Sequence, residues 1–118
     1  RTFIFTPALP PVHMLWTFFI LAHLDSFSFR RERLKRISSL LKDALVKKGY
    51  ACPSPSHIMT MTIGDRGDTV LKADFFQRKG FYALPVRPPT VPEGTSRIRF
   101  SLTADITEEE IKSLIELI

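Results

Sequence analysis

The stretch that most constrains the fold of this chain is a proline-rich loop followed by a strand-like segment with alternating side chains. It spans residues 87–104, RPPTVPEGTSRIRFSLTA. Proline fixes φ at about −65° and donates no backbone hydrogen bond, so Pro88 and Pro89 end any regular element before them. After the loop, apolar and polar side chains alternate, which predicts a strand with one buried face. The predicted core side chains are Ile98, Phe100 and Leu102.

Arg97 and Arg99 lie on the other face of this predicted strand. A guanidinium group can bind a carboxylate or a phosphate through two parallel hydrogen bonds. A stiff loop next to two such groups is typical of a binding site for an anionic substrate. The alternative is a solvated sheet face, where charged side chains are ordinary.

The rest of the sequence predicts helices and two further strands around this one. Apolar spacing and capping residues predict helices over 10–24, 28–48, 68–79 and 107–118, and strands over 57–63 and 81–86. The third helix is predicted to start at Asp68 or Thr69 and to bury Val70, Leu71, Phe75 and Phe76. The expected fold class is α+β: a small antiparallel or mixed sheet, covered by helices on one face and preceded by long N-terminal helices.

We expect one domain over residues 1–118, with a strand end and linking helices in 1–48 and a small α/β sandwich in 49–118. The chain begins at Arg1 rather than at a methionine, inside the strand-like TFIFT, so we expect it to be a piece of a longer protein.

Residues 10–24, PPVHMLWTFFILAHL, are the most apolar stretch. A membrane crossing needs about 20 apolar residues, and this run is shorter and contains His13 and His23. No small-residue cleavage site of a signal peptide follows it. Because apolar side chains occur all round the predicted helix, it must be covered on several sides. The sequence therefore predicts a covering partner, either another domain or a second subunit.

Composition and motifs exclude several classes of function. The net charge is +5, but the basic run 30–36 lies on the polar back of an amphipathic helix, so nucleic-acid binding is not predicted. A single cysteine, Cys52, allows no internal disulfide, and a reducing cytoplasm is the simplest compartment. No hydrolase, metalloprotease or phosphate-loop motif is present, and no residue is predicted to be catalytic or to bind a metal.

Residues 87–104 resemble the C-terminal signature of the α-oxoamine synthases, pyridoxal-phosphate (PLP) enzymes of fold type I that condense an amino acid with an acyl-CoA and release CO2. Residues 1–11, RTFIFTPALPP, resemble the segment after the PLP-lysine loop, and residues 56–65, SHIMTMTIGD, resemble the first strand of the small domain. The resemblance covers nearly the whole chain.

Within that family, the residues of this signature are most similar to those of the member that acts in biotin biosynthesis. That member joins L-alanine to a pimeloyl thioester of CoA or of a carrier protein. The resemblance implies the C-terminal domain of a cytoplasmic, homodimeric acyltransferase with no nucleic-acid or membrane partner. It implies that the isolated chain is inactive. The alternatives are a glycine-using member of the family and a stand-alone domain without catalysis.

The resemblance also implies roles for individual residues. Arg99 stands at the position of the arginine that binds the amino-acid carboxylate, and Thr90 at that of a substrate-contacting threonine. Thr6 falls in a hydroxyl pair that contacts the PLP phosphate of the other subunit. The second member of that pair is Pro7 here, which has no hydroxyl to offer. The family's Schiff-base lysine lies upstream, so PLP is expected in the full-length enzyme and not on this chain alone.

Overall fold

The structure, a computed structural model, describes residues 9–118. A 3-10 turn at Asp25–Phe27 separates the first two of four helices, and three strands complete the domain. The elements in chain order are α1 (Pro11–Ala22), α2 (Ser28–Lys47), β1 (Ile58–Gly64), α3 (Arg66–Arg78), β2 (Leu84–Val86), β3 (Ser96–Ser101) and α4 (Glu108–Leu117). This order confirms the predicted α+β fold.

The three strands form one antiparallel sheet in the order β1-β3-β2, so the arginine-bearing strand β3 lies in the centre. Strand β2 is shorter than the predicted span 81–86 and pairs with β3 only from Leu84 to Val86. Pro85 has no N–H to donate, which confines such a strand to a sheet edge. Phe81 instead donates its N–H to the carbonyl of Phe76 and so belongs to the end of α3.

The core lies between one face of the sheet and helices α2, α3 and α4. The buried side chains of the sheet are Met59, Met61, Ile98 and Phe100. The helices contribute Ile37, Leu41 and Leu45 from α2, Ala73 and Phe76 from α3, and Ile111 and Leu114 from α4. The rings of Phe76 and Phe100 meet edge to face, with centroids 5.5 Å apart. The helices therefore cover the face predicted from the alternation, and none of the described elements covers the other face, which carries Arg97 and Arg99.

Helix α3 differs from the prediction in its start and in its buried face. Its N-cap is Asp65, not Asp68 or Thr69, because the Asp65 carboxylate accepts a hydrogen bond from the backbone N–H of Asp68 at 2.9 Å. Leu71 and Phe75 were wrongly assigned to the core: they are 69% and 42% exposed, and the half-buried Val70 lies beside the fully buried Thr69. The helix buries a stripe of Thr69, Ala73 and Phe76, whose two small members allow it to approach the sheet closely.

The end of α2 and the start of α4 are capped as the sequence predicted, whereas the starts of α1 and α2 have no side-chain cap. Gly49 follows α2 with φ at +85°, a conformation that favours glycine. At α4, Thr107 accepts a hydrogen bond from the backbone N–H of Glu110, whose carboxylate in turn accepts one from the backbone N–H of Thr107. This backbone hydrogen bond, followed by that from the Thr107 hydroxyl, lowers the pKa of Glu110. Backbone N–H groups, first that of Asp68, likewise lower the pKa of Asp65.

Helix α1 is apolar on all sides, as predicted, yet none of its residues is buried. Trp16 and Phe18 are 63% and 73% exposed. The predicted burial of this helix is therefore not provided by residues 9–118, and a covering partner stays a prediction. Within those residues, no single helix has the length and apolarity to cross a membrane; only α1 and the segment Asp25–Lys47, bent by 69°, pass that test as a pair.

Candidate functional site

The open face of the sheet presents the two arginines in the central strand. Arg99 stands between Thr60 of β1 and Leu84 of β2, and Arg97 stands between Thr62 and Val86. Strand pairing on both sides holds the backbone of β3, so the position of each guanidinium stem is set by the sheet rather than by a loop.

A depression of about 370 Å³ lies where this face meets the proline-rich loop. It brings together Thr90 and Arg99, the two residues predicted to contact substrate. The loop itself is held by a turn in which Thr90 donates its backbone N–H to the carbonyl of Arg87 at 3.0 Å. The residues lining the depression are Leu84, Pro85, Val86, Arg87, Pro88, Pro89, Thr90 and Arg99.

The depression is positively charged. Arg87 and Arg99 both line it, and none of the described residues that line it is acidic. Within residues 9–118, neither guanidinium has a carboxylate partner or a hydrogen bond from its side chain. An arginine without a partner keeps all its donors available for a ligand. The chemistry of the depression is therefore that of a receptor for a carboxylate or another small anion.

Arg97 differs from Arg99 although both lie on the same face. Its side chain is half-buried, and its Nε donates a hydrogen bond to the carbonyl of Thr95 at 3.1 Å. It does not line the depression. Among residues 9–118, the structure thus separates Arg99, whose guanidinium has no partner, from Arg97, which is hydrogen-bonded to the backbone just before its own strand.

Two residues of this region were not singled out from the sequence. Arg87 supplies the second positive charge of the depression. Its position directly before the proline pair was the sequence signal that could have indicated it as a site residue. Thr60 is the cross-strand neighbour of Arg99, and its hydroxyl is buried with no hydrogen-bond partner in the described part of the chain. The alternation of residues 57–63 was the available signal for Thr60.

The lysines of this chain lie away from the depression. Every lysine lies on, or directly after, one of the helices α2, α3 and α4, and none lines the depression. Thr6 and Pro7 lie outside the described residues, so their predicted contact with the PLP phosphate stays a prediction. No cluster of His, Cys, Asp or Glu suited to a metal ion occurs among residues 9–118.

The sequence profile of the aminotransferase class I and II family matches residues 1–118. The chain belongs to this family. Members of this family are PLP-dependent enzymes of fold type I, so the resemblance noted from the sequence is confirmed at the level of the family.

A curated member of the family from Haemophilus ducreyi, named 8-amino-7-oxononanoate synthase, is 44% identical over 116 residues. Those residues are 98% of this chain and 30% of that protein. The chain therefore spans less than a third of the length of the curated relatives it matches.

Solved structures match the fold over almost the whole chain. A serine palmitoyltransferase of S. paucimobilis with a bound PLP–myriocin aldimine matches with a TM-score of 0.86 at 25% identity, covering 99% of this chain and 30% of that one. The 8-amino-7-oxononanoate synthase of Francisella tularensis matches with a TM-score of 0.82, covering 99% of this chain and 34% of that one. Its identity of 23% supports the fold alone.

Proposed function

We propose that this chain is the C-terminal, substrate-binding part of an 8-amino-7-oxononanoate synthase. The complete enzyme would join L-alanine to a pimeloyl thioester of CoA or a carrier protein, releasing CO2 and the thiol, in biotin biosynthesis. The observation that carries this proposal is Arg99, which has no partner among residues 9–118 and lines a depression shared with Thr90. The relatives that carry the same enzyme name support the choice within the family.

In this proposal Arg99 binds the carboxylate of the amino-acid substrate. A sheet-held guanidinium fixes the direction of that carboxylate, which sets the orientation of the bond that is broken when CO2 leaves. Thr90 contacts the substrate from the loop side of the same depression. Arg87 adds a second charge, which strengthens the attraction of an anionic substrate to the depression.

PLP belongs to the complete enzyme in this proposal, since the residues described here offer no lysine at the depression. The cofactor is held by other parts of the protein, with Thr6 as a contact to the phosphate from the neighbouring subunit of a homodimer. The isolated chain is then inactive. The complete enzyme works in the cytoplasm without a nucleic-acid or membrane partner.

Two alternatives lead to different outcomes in one experiment. The purified full-length protein is incubated with pimeloyl-CoA and, in turn, L-alanine, glycine or L-serine, and the free thiol is measured. The proposal expects thiol release with L-alanine in preference to the other two. Preference for glycine would favour the glycine-using member, 2-amino-3-ketobutyrate CoA ligase. No release with any of the three amino acids would favour a non-catalytic domain.

A further inference from the structure

A second cavity, on the helix side of the domain, has the composition of an anion site. It has a volume of about 350 Å³ and lies between α2 and the connection 54–57. Its charged side chains are Arg31, Lys35 and Lys42, and no acidic residue is among the described residues that line it. It shares no residue with the depression at Arg99.

The cationic groups of this cavity keep free donors. Lys42 donates to the carbonyl of Ser54 at 3.1 Å, and Arg31 donates to the carbonyl of Leu24 at 2.6 Å. Each uses one of several N–H groups in these contacts. Within residues 9–118, the ion pairs are formed by Arg30 and Arg36, so the cations of the cavity have no carboxylate to neutralise them there.

A buried hydroxyl completes the cavity. Ser38 lines it and is only 8% exposed, yet its Oγ has no hydrogen-bond partner among the described residues. Leaving a buried hydroxyl unpaired is unfavourable, which makes it a good donor to a ligand that enters the cavity. On the opposite wall the connection is stiffened by its own serines: Ser56 donates its N–H to the Ser54 hydroxyl at 3.3 Å, and Ile58 donates its N–H to the Ser56 hydroxyl at 3.2 Å.

We infer that this cavity binds a phosphate-bearing small molecule. Among residues 9–118, the three cations have no neutralising carboxylate and the buried Ser38 hydroxyl has no hydrogen-bond partner, and both features suit phosphate oxygens. Leu34, Pro55 and Met59 line the same cavity and offer an apolar wall to an attached organic group. Its volume lies in the range of pockets that take small organic ligands. The inference does not rest on the proposed function.

The test is calorimetric titration of the full-length protein with ADP, pyrophosphate and adenosine in phosphate-free buffer at low salt. We expect saturable binding of ADP and pyrophosphate, weaker at high salt, and no binding of adenosine. Absence of saturation by both anions up to about 5 mM would overturn the inference, since specific sites bind more tightly than that. Binding of adenosine as tight as that of ADP would also overturn it.

Variants separate this cavity from general attraction by a basic protein. Ser38→Ala and Lys35→Gln should each weaken ADP binding about tenfold, the usual result of losing one hydrogen bond to a charged ligand. Ser38→Ala should leave the melting temperature unchanged or higher, because it removes an unpaired buried hydroxyl. The matched control Lys112→Gln, which removes one charge from α4, should stay within about twofold. Equal weakening by Lys35→Gln and Lys112→Gln would contradict the inference.

Discussion

Replacement of Arg99 tests the assignment of the carboxylate-binding group. Arg99 is exposed on the open face and has no side-chain partner within residues 9–118, so its loss opens no cavity and breaks no described contact. Exposed substitutions of this kind change stability by about 0.5 kcal/mol or less, or about 2 °C in Tm. A charge-assisted bidentate pair with a carboxylate contributes about 2–4 kcal/mol, which corresponds to roughly thirtyfold to several-hundredfold in kcat/KM.

The assay is thiol release by the full-length enzyme at varied L-alanine and saturating pimeloyl-CoA. We expect Arg99→Leu and Arg99→Lys to lower kcat/KM for alanine by these factors with nearly unchanged Tm, since lysine offers a point charge instead of a fork. Arg97→Leu is the matched control, because Arg97 lies on the same face but outside the depression. Near-normal kinetics for Arg99→Leu, or greater damage from Arg97→Leu, would refute the assignment.

Three further predictions concern the domain itself. The isolated chain should self-associate through the exposed α1, and sedimentation should show a mass that rises with concentration. Trp16→Glu should shift this equilibrium toward the monomer. A wild-type chain that stays monomeric at high concentration would contradict the prediction. The pKa of Glu110 is lower in the folded state than in the unfolded chain. The ionised carboxylate therefore stabilises the fold fully at a pH above the unfolded-state pKa, and this stabilisation is lost as the pH falls through the folded-state pKa. Glu110→Gln should therefore reduce the loss of stability in acid, measured by denaturation between neutral and acid pH, whereas Glu109→Gln should not. Phe76→Ala should lower the unfolding free energy by about 3–5 kcal/mol in urea denaturation, and the exposed Leu71→Ala by less than about 1 kcal/mol.

Alternation was a reliable guide to the sheet. The period of two in residues 96–101 assigned Ile98 and Phe100 to the core and Arg99 to the open face, and the structure confirms both. The central position of β3 in the sheet was not predicted, because alternation defines the faces of a strand but not its neighbours. Strand β2 is short and lies at the edge of the sheet, where Pro85, which has no N–H to donate, is tolerated. Pro85 is visible in the sequence, but the edge position of its strand is known only from the sheet order.

Helix α3 shows where local signals were insufficient. Asp65 and Asp68 are both good capping residues three positions apart, and the sequence offers no means to choose between them. The apolar residues of α3 occur on more than one side of the helix. The sequence therefore did not indicate which side packs against the sheet. Thr69 and Ala73 occupy that face because small side chains permit close packing, which a search for large apolar residues misses.

The candidate site was predicted in its parts but not in its shape. The resemblance of residues 87–104 indicated Thr90 and Arg99, and the structure brings them to one depression. Arg87 joins them through the path of the loop, and Thr60 becomes the neighbour of Arg99 through the register of β1 with β3; both are properties of the folded chain. The roles of Thr90, Arg99 and Thr6 stay predictions.

The central claim is that the complete protein condenses L-alanine with a pimeloyl thioester and that this chain binds the alanine carboxylate. The most direct measurement is release of labelled CO2 from carboxyl-labelled L-alanine by the full-length protein, with and without pimeloyl-CoA. The account predicts CO2 release that depends on both substrates and falls sharply in Arg99→Leu. No CO2 from alanine with pimeloyl-CoA present, or undiminished release in Arg99→Leu, would contradict it.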